Sequence, residues 1–204
     1  FLFITMLKQR LISALILSIG IVSLIFTLPS QYLIYFILLL TCISLLEFLS
    51  LRFSNKSAIL FVCFSLILLY LSSFPGLNKA FIGLGVITYL GLFFLIISFP
   101  VSKPFIQRNL IWLFSGITIH LGFFASLYFL INQDGPVLVY FGMDITNRTA
   151  LLIIVLISVL MDSLAFFGGK KFGQTKLLQN VSPNKTVEGF LIAMTLTPLI
   201  ILLA

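Results

Sequence analysis

Apolar residues in this chain arrive in uninterrupted blocks of about 17 to 22, and no other feature restricts the fold as much. At 1.5 Å per residue, such a block reaches across a hydrocarbon layer of roughly 30 Å. Inside lipid every backbone N–H and C=O needs a partner within the protein, which leaves helices or a closed barrel. A barrel would alternate apolar and polar residues over ~10-residue segments, and no such alternation is present. The expected fold is therefore all-α, a polytopic transmembrane helical bundle forming a single transmembrane domain over residues 1–204. Composition agrees: 61% of residues are apolar and 8% charged, far from the balance of a water-soluble domain.

Seven spans are expected, at about 11–28, 31–49, 58–74, 80–99, 110–131 and 149–167, with a seventh helix starting near Ser182 and still running at Ala204. No stop signal follows that last run, so the chain is expected to be truncated at its C-terminus. Cys42 and Cys63 fall inside apolar blocks without metal or redox spacing and read as packing residues.

Charge sets the orientation. With the N-terminus in the cytoplasm, ten basic residues lie inside: Lys8, Arg10, Arg52, Lys56, Lys103, Arg108, Lys170, Lys171, Lys176 and Lys185. Only Lys79 and Arg148 lie on the other side. This positive-inside bias places the loop 168–186 on the cytoplasmic face. The net charge of +7 is spread over short loops in this way, so no nucleic acid is expected as a partner.

The interval 162–189 interrupts the apolar pattern. Asp162 is expected about five residues inside the sixth span, roughly 8 Å along its axis. A carboxylate at that depth costs a few kcal/mol unless paired, hydrated or metal-bound. Ser158, Asp162 and Gly169 fall on nearly one helical face, expected to turn away from lipid. The alternative is a structural Asp162 that pairs with a loop lysine to hold two helices together. Gly168, Gly169 and Gly173 would let a ligand approach the backbone, while Lys170, Lys171 and Lys176 offer ammonium groups. The same glycines would equally serve to end the helix, and the lysines to set topology.

Ser182-Pro183-Asn184-Lys185-Thr186-Val187-Glu188-Gly189 reads as a helix start, with Ser182 as N-cap and Pro183 at the first helical position. Free N–H groups at such a start attract anions, and Lys185 and Thr186 add donors. Glu188, one turn after Lys185, would orient that lysine or hold a divalent ion. His120, alone in the fifth span, reads as a hydrogen-bonded packing residue, and Glu47 as a partner for Lys8 or Arg10. Asp134 and Asp144 are expected to be solvated on the far side.

Three stretches together carry a resemblance: Asp162-Ser163-Leu164-Ala165-Phe166-Phe167-Gly168, Lys171-Phe172-Gly173, and Val181 through Phe190. They resemble the CDP-diacylglycerol synthase (phosphatidate cytidylyltransferase) family. The stretch Lys8-Gln9-Arg10-Leu11-Ile12-Ser13-Ala14 and the Glu47-Phe48 pair are also similar to that family. Leu164 stands where the family places a small residue, and Val187 where it often has Trp. The resemblance implies that CTP and phosphatidate give CDP-diacylglycerol and diphosphate, as a step of phospholipid biosynthesis. It implies Asp162, Lys185 and Glu188 as catalytic residues. Ser182, Thr186, Asn184, Lys170, Lys171 and Gly169 would bind substrate. Mg2+ or another divalent cation is the implied cofactor, with Asp162 as one ligand.

The family's main metal-binding run would lie beyond Ala204, so the residues given are expected to be inactive alone. The partners expected are CTP, phosphatidate and membrane lipids, with homodimerisation left open. The expected location is the cytoplasmic (inner) membrane of a bacterium, with the site on the cytoplasmic face. Two other readings stay open: a related lipid or polyprenol kinase, and a transporter of an anionic substrate.

Overall fold

A computed structural model describes residues 16–135, 137–140, 143–179 and 181–203. The Lys8–Ala14 stretch, and with it any pairing of Glu47 to Lys8 or Arg10, lies outside the described residues. The helices are α1 (Ile16–Thr27), α2 (Ser30–Ser50), α3 (Asn55–Leu71), α4 (Pro75–Ile97), α5 (Lys103–Ile106), α6 (Asn109–Asn132), α7 (Asn147–Phe172) and α8 (Val187–Leu203). Among the described residues, α2, α4, α6 and α7 are long and apolar enough to cross a membrane, and α1, α3 and α8 are shorter apolar helices. Length and composition therefore support crossing for four of the expected spans.

α6 stands at the centre. Of its apolar window 44% is buried, against 6% for α4 and for α7. The reason is local. Ser115, Gly116, Thr118, Gly122 and Ala125 are small and buried, so neighbours approach α6 on more than one side. Leu33 and Ile37 of α2 pack with Leu121, Phe124 and Leu127 of α6 in the main apolar cluster, which Leu151 of α7 joins. A second cluster holds Leu45, Leu49, Ala58 and Val62, edged by Phe48 and Trp112, whose rings stack at 4.7 Å. Buried Asn78 ties the start of α4 to α6 by donating to the Ala125 carbonyl at 3.1 Å and to the Ser72 carbonyl at 2.9 Å. His120 is a packing residue, as expected: its Nδ1–H donates to the Gly116 carbonyl at 2.7 Å, so Nε2 accepts from the Ser44 hydroxyl at 3.1 Å.

The all-α expectation needs one amendment. Two antiparallel hairpins punctuate the helices: β1 (Leu138–Tyr140) with β2 (Met143–Ile145), and β3 (Lys176–Leu178) with β4 (Ser182–Thr186). The first joins α6 to α7 and the second joins α7 to α8. Apart from Leu151 near its start, α7 buries only Gly168, and its main partner is α8. The buried residues of α8 are Gly189, Ala193 and Thr197, a small-residue ridge at four-residue spacing that lets the two helices lie close. The α7–α8 pair thus forms an arm whose loop end carries the polar interval.

Candidate functional site

α7 runs five residues beyond its expected end at 167 and stops at Phe172, with Gly173 as C-cap. Gly168, Gly169, Lys170 and Lys171 therefore belong to its last turns rather than to a loop. The first two glycines serve contact. A Cβ at Gly168 would stand 2.9 Å from the Ile192 side chain, and one at Gly169 2.8 Å from Thr186 Oγ1. Helix propensity alone would have ended α7 early; packing against α8 carries it on to the third glycine.

The start of α8 also differs from expectation. Ser182 is not an N-cap, and Pro183 does not open a helix, because Ser182–Thr186 is strand β4. Its register pairs Lys176 with Thr186 and Leu178 with Ser182, so two steps along β3 face four along β4 and the pairing is irregular between them. Pro183 lacks an N–H and occupies a position outside those pairs, where the loss costs nothing. Thr186 takes the capping role: its Oγ1 accepts from the Gly189 N–H at 3.2 Å. Two residues able to cap a helix lie four positions apart here, and the hairpin selects the second. No anion site at a helix N-terminus forms around Ser182.

What the fold does bring together is Asp162 and Lys185. Lys185 Nζ lies 3.6 Å from Asp162 Oδ1, the one ion pair among the described residues, with side chains 57% and 84% exposed. Asp162 and Ser158 are exposed on α7 rather than turned into the bundle. Of the expected stripe, Gly169 does turn inward, against Thr186 and Gly189, while Asp162 and Ser158 on nearly the same face stay exposed. The pairing of Asp162 with a loop lysine is realised. An exposed pair of this kind contributes about 0–1 kcal/mol in water, too little to explain its placement by stability.

Glu188 does not approach Lys185. Its Oε1 accepts from the Thr175 hydroxyl at 2.7 Å and the Thr175 N–H at 3.1 Å, and its Oε2 from the Gln174 N–H at 3.1 Å. Glu188 precedes the apolar stretch that starts at Phe190, and these donors, the Thr175 hydroxyl foremost, hold its carboxyl down at about 2. The carboxylate clamps the end of α7 to the start of α8, and the Val187 N–H closes the same loop on the Thr175 carbonyl at 3.0 Å. Sequence reasoning missed Gln174 and Thr175. Their signal was the polar pair just after a helix-ending glycine, facing an acidic residue at the start of the next helix.

Burial sorts the remaining candidates. Ser182 and Thr186 are half-buried, while Asn184 and Lys185 are exposed. Thr186 is further enclosed by Gly169 and Gly173, where a Cβ would stand 2.8 Å and 2.9 Å from its hydroxyl oxygen. On α7, Lys170 lies roughly 80° round the axis from Asp162 and Lys171 about 180°. Lys171 instead sets its ammonium 5.2 Å from the centre of the Phe172 ring. Asp162 and Lys185 therefore stand together, while Lys170 lies about 12 Å further along α7 and Lys171 is directed elsewhere.

Among the described residues, no three His, Cys, Asp or Glu side chains group to hold a metal ion. Glu188 has both oxygens engaged, which leaves Asp162 as the available carboxylate. One carboxylate together with substrate phosphates is a combination that suits Mg2+, whereas a dedicated protein cage would need more ligands.

The model of the cytidylyltransferase family matches residues 8–204. No curated protein and no solved structure matches the chain.

Proposed function

The chain belongs to the cytidylyltransferase family, the family of CDP-diacylglycerol synthases, and on that premise we propose that it is a phosphatidate cytidylyltransferase. The lipid phosphate attacks the α-phosphorus of CTP, a P–O bond forms to the lipid, and diphosphate leaves. The observation that carries this reading is the Lys185–Asp162 pair at the loop end of the α7–α8 arm. There an ammonium is held by a carboxylate yet remains open to a phosphate.

Each residue then has a task. Asp162 orients Lys185, whose remaining N–H groups bind phosphate oxygens, and Lys170 adds attraction for CTP or the lipid headgroup. Ser182, Asn184 and Thr186 of β4 supply neutral donors. Glu188 holds the hairpin in place rather than touching substrate. Mg2+, if bound, would be held by Asp162 with substrate oxygens and would neutralise phosphate charge. In this reading the N-terminus and the hairpin lie on the cytoplasmic face of a bacterial inner membrane, an orientation that the ten-to-two distribution of basic residues supports.

The test uses the full-length protein reconstituted with phosphatidate and CTP. Lys185→Ala and Asp162→Asn should each lower CDP-diacylglycerol formation by about 10²-fold, the scale set by loss of one charged contact to a transferring phosphoryl group. Near-normal rates in both would remove these residues from the site. Release of a nucleoside diphosphate instead of diphosphate would make the protein a kinase.

A further inference from the structure

α4 and α6 meet backbone to backbone at Gly85 and Gly122. Between that crossing and the α5 turn they enclose a groove of about 600 Å³, whose walls include Ile87, Gly91 and Leu95 of α4, Phe105 of α5, and Ile111 and Phe114 of α6. A Cβ at Gly91 would meet no atom within 4 Å, so this glycine opens the wall instead of joining helices. From Leu84 to Leu95 the wall extends about 16 Å at 1.5 Å per residue.

One end of this hydrocarbon-lined groove is cationic. The Arg108 guanidinium carbon lies 5.6 Å from the centre of the Phe105 ring, and Lys103 begins the same one-turn helix. Arg52 reaches over from the loop after α2, donating to Asn109 Oδ1 at 2.8 Å and to the Gln107 carbonyl. The stretch 98–112 holds no acidic residue. Among the described residues none of these three cations has a carboxylate within ion-pair distance. α6 and α7 are each long and apolar enough to cross a membrane; two such crossings would return the chain to the face of the α5 turn and set the groove end and the β3–β4 hairpin on that face.

We propose that this groove binds an anionic phospholipid, with one acyl chain along α4 and α6 and its phosphate against Arg108 and Lys103. Arg and phosphate match as charged, forked hydrogen-bonding partners. A basic cluster at the membrane surface selects anionic headgroups, and an apolar groove that ends at such a cluster suits an amphiphile of that polarity. The site uses no residue of the hairpin, so it stands or falls apart from the catalytic reading.

Purified full-length protein in neutral detergent is titrated with phosphatidylglycerol or with phosphatidylcholine of the same chains. Bound lipid is counted by native mass spectrometry and Tm is followed. Phosphatidylglycerol should bind saturably and raise Tm, and phosphatidylcholine should do neither. The double variant Lys103→Gln, Arg108→Gln should weaken phosphatidylglycerol binding at least tenfold. Gly91→Trp, which fills the open wall and leaves the charges, should also displace it. Equal or unsaturable binding of the two lipids by the unaltered protein overturns the proposal, as does undiminished phosphatidylglycerol binding by the charge variant. Should Gly91→Trp fail to fold, the charge variant decides alone.

Discussion

At the α4–α6 crossing a Cβ on Gly85 would stand 2.9 Å from the Gly122 Cα, and at the α7–α8 crossing a Cβ on Gly189 would stand 2.5 Å from the Ala165 carbonyl oxygen. Both pairs of helices use glycine to bring backbones together, as helices in lipid do when apolar burial gives no net drive to associate. They differ in what surrounds the contact. The first lies beside the buried α6 and is tied by Asn78 to the Ala125 carbonyl. The second lies in an arm joined to the bundle mainly near Leu151, with the hairpin, the Glu188 clamp and the Lys185–Asp162 pair at its end. One crossing holds the scaffold; the other sets the geometry of the site.

Substitution at the two crossings should separate these roles most strongly. Gly189→Val would press against backbone atoms that cannot move aside, and overpacking of this kind costs about 1–3 kcal/mol. The expected outcome is loss of activity to background with a modest fall in Tm, because the arm gives way while the bundle remains. Gly122→Val should do the reverse, lowering Tm clearly in thermal unfolding. Equal falls in Tm for both would end the distinction.

Next in size are Lys185→Ala and Asp162→Asn. Beside their large loss of rate, they should leave Tm within about 1 kcal/mol of equivalent stability, since an exposed pair contributes little. A large fall in Tm with either would return the pair to a structural role.

Glu188 sharpens the comparison through pH. Its carboxyl is held at about 2, below the ordinary 4.5, so the folded loop favours the ionised form. Its contribution is therefore complete above about pH 4.5 and is lost as pH falls towards 2. Hydrogen exchange of the Gln174 and Thr175 amides should stay slow from neutral pH to about 5 and quicken, relative to the intrinsic rate, below that. Glu188→Gln should remove this dependence and lower activity less than Lys185→Ala does. The smallest effect belongs to Lys171→Ala. That lysine lies about 180° round α7 from Asp162, and the rate should stay within about twofold; a larger loss would mean that the arm presents a different face to its ligand.

Much of this was legible from residue order. Block length announced long apolar helices, and the polar interval 162–189 announced where the Lys185–Asp162 pair and the Glu188 clamp sit. Asp162, marked by its place inside an apolar block, and Lys185, marked by its place in the polar stretch 182–189, do come together. The errors share a cause. Ser182-Pro183 satisfies every local rule for a helix start, and Gly168-Gly169 looks like a helix end, yet Ser182–Thr186 is a strand and α7 continues to Phe172. Local propensities of these sizes, on the order of 1 kcal/mol each, are smaller than the gain from docking α8 on α7 and closing the loop with Glu188.

The sequence by itself determined the class of molecule, because the solvent an apolar block needs, and the helical form it must take there, depend only on length and composition. It also determined the family, because the spacing of charged residues and glycines survives in linear order. The tertiary structure alone decided which polar residues of this interval meet. Glu188 is one turn from Lys185 in sequence terms but turns back to Thr175, while Asp162 meets Lys185 across 23 positions of chain. That outcome rests on how closely two backbones approach at Gly189, a distance that no local pattern encodes.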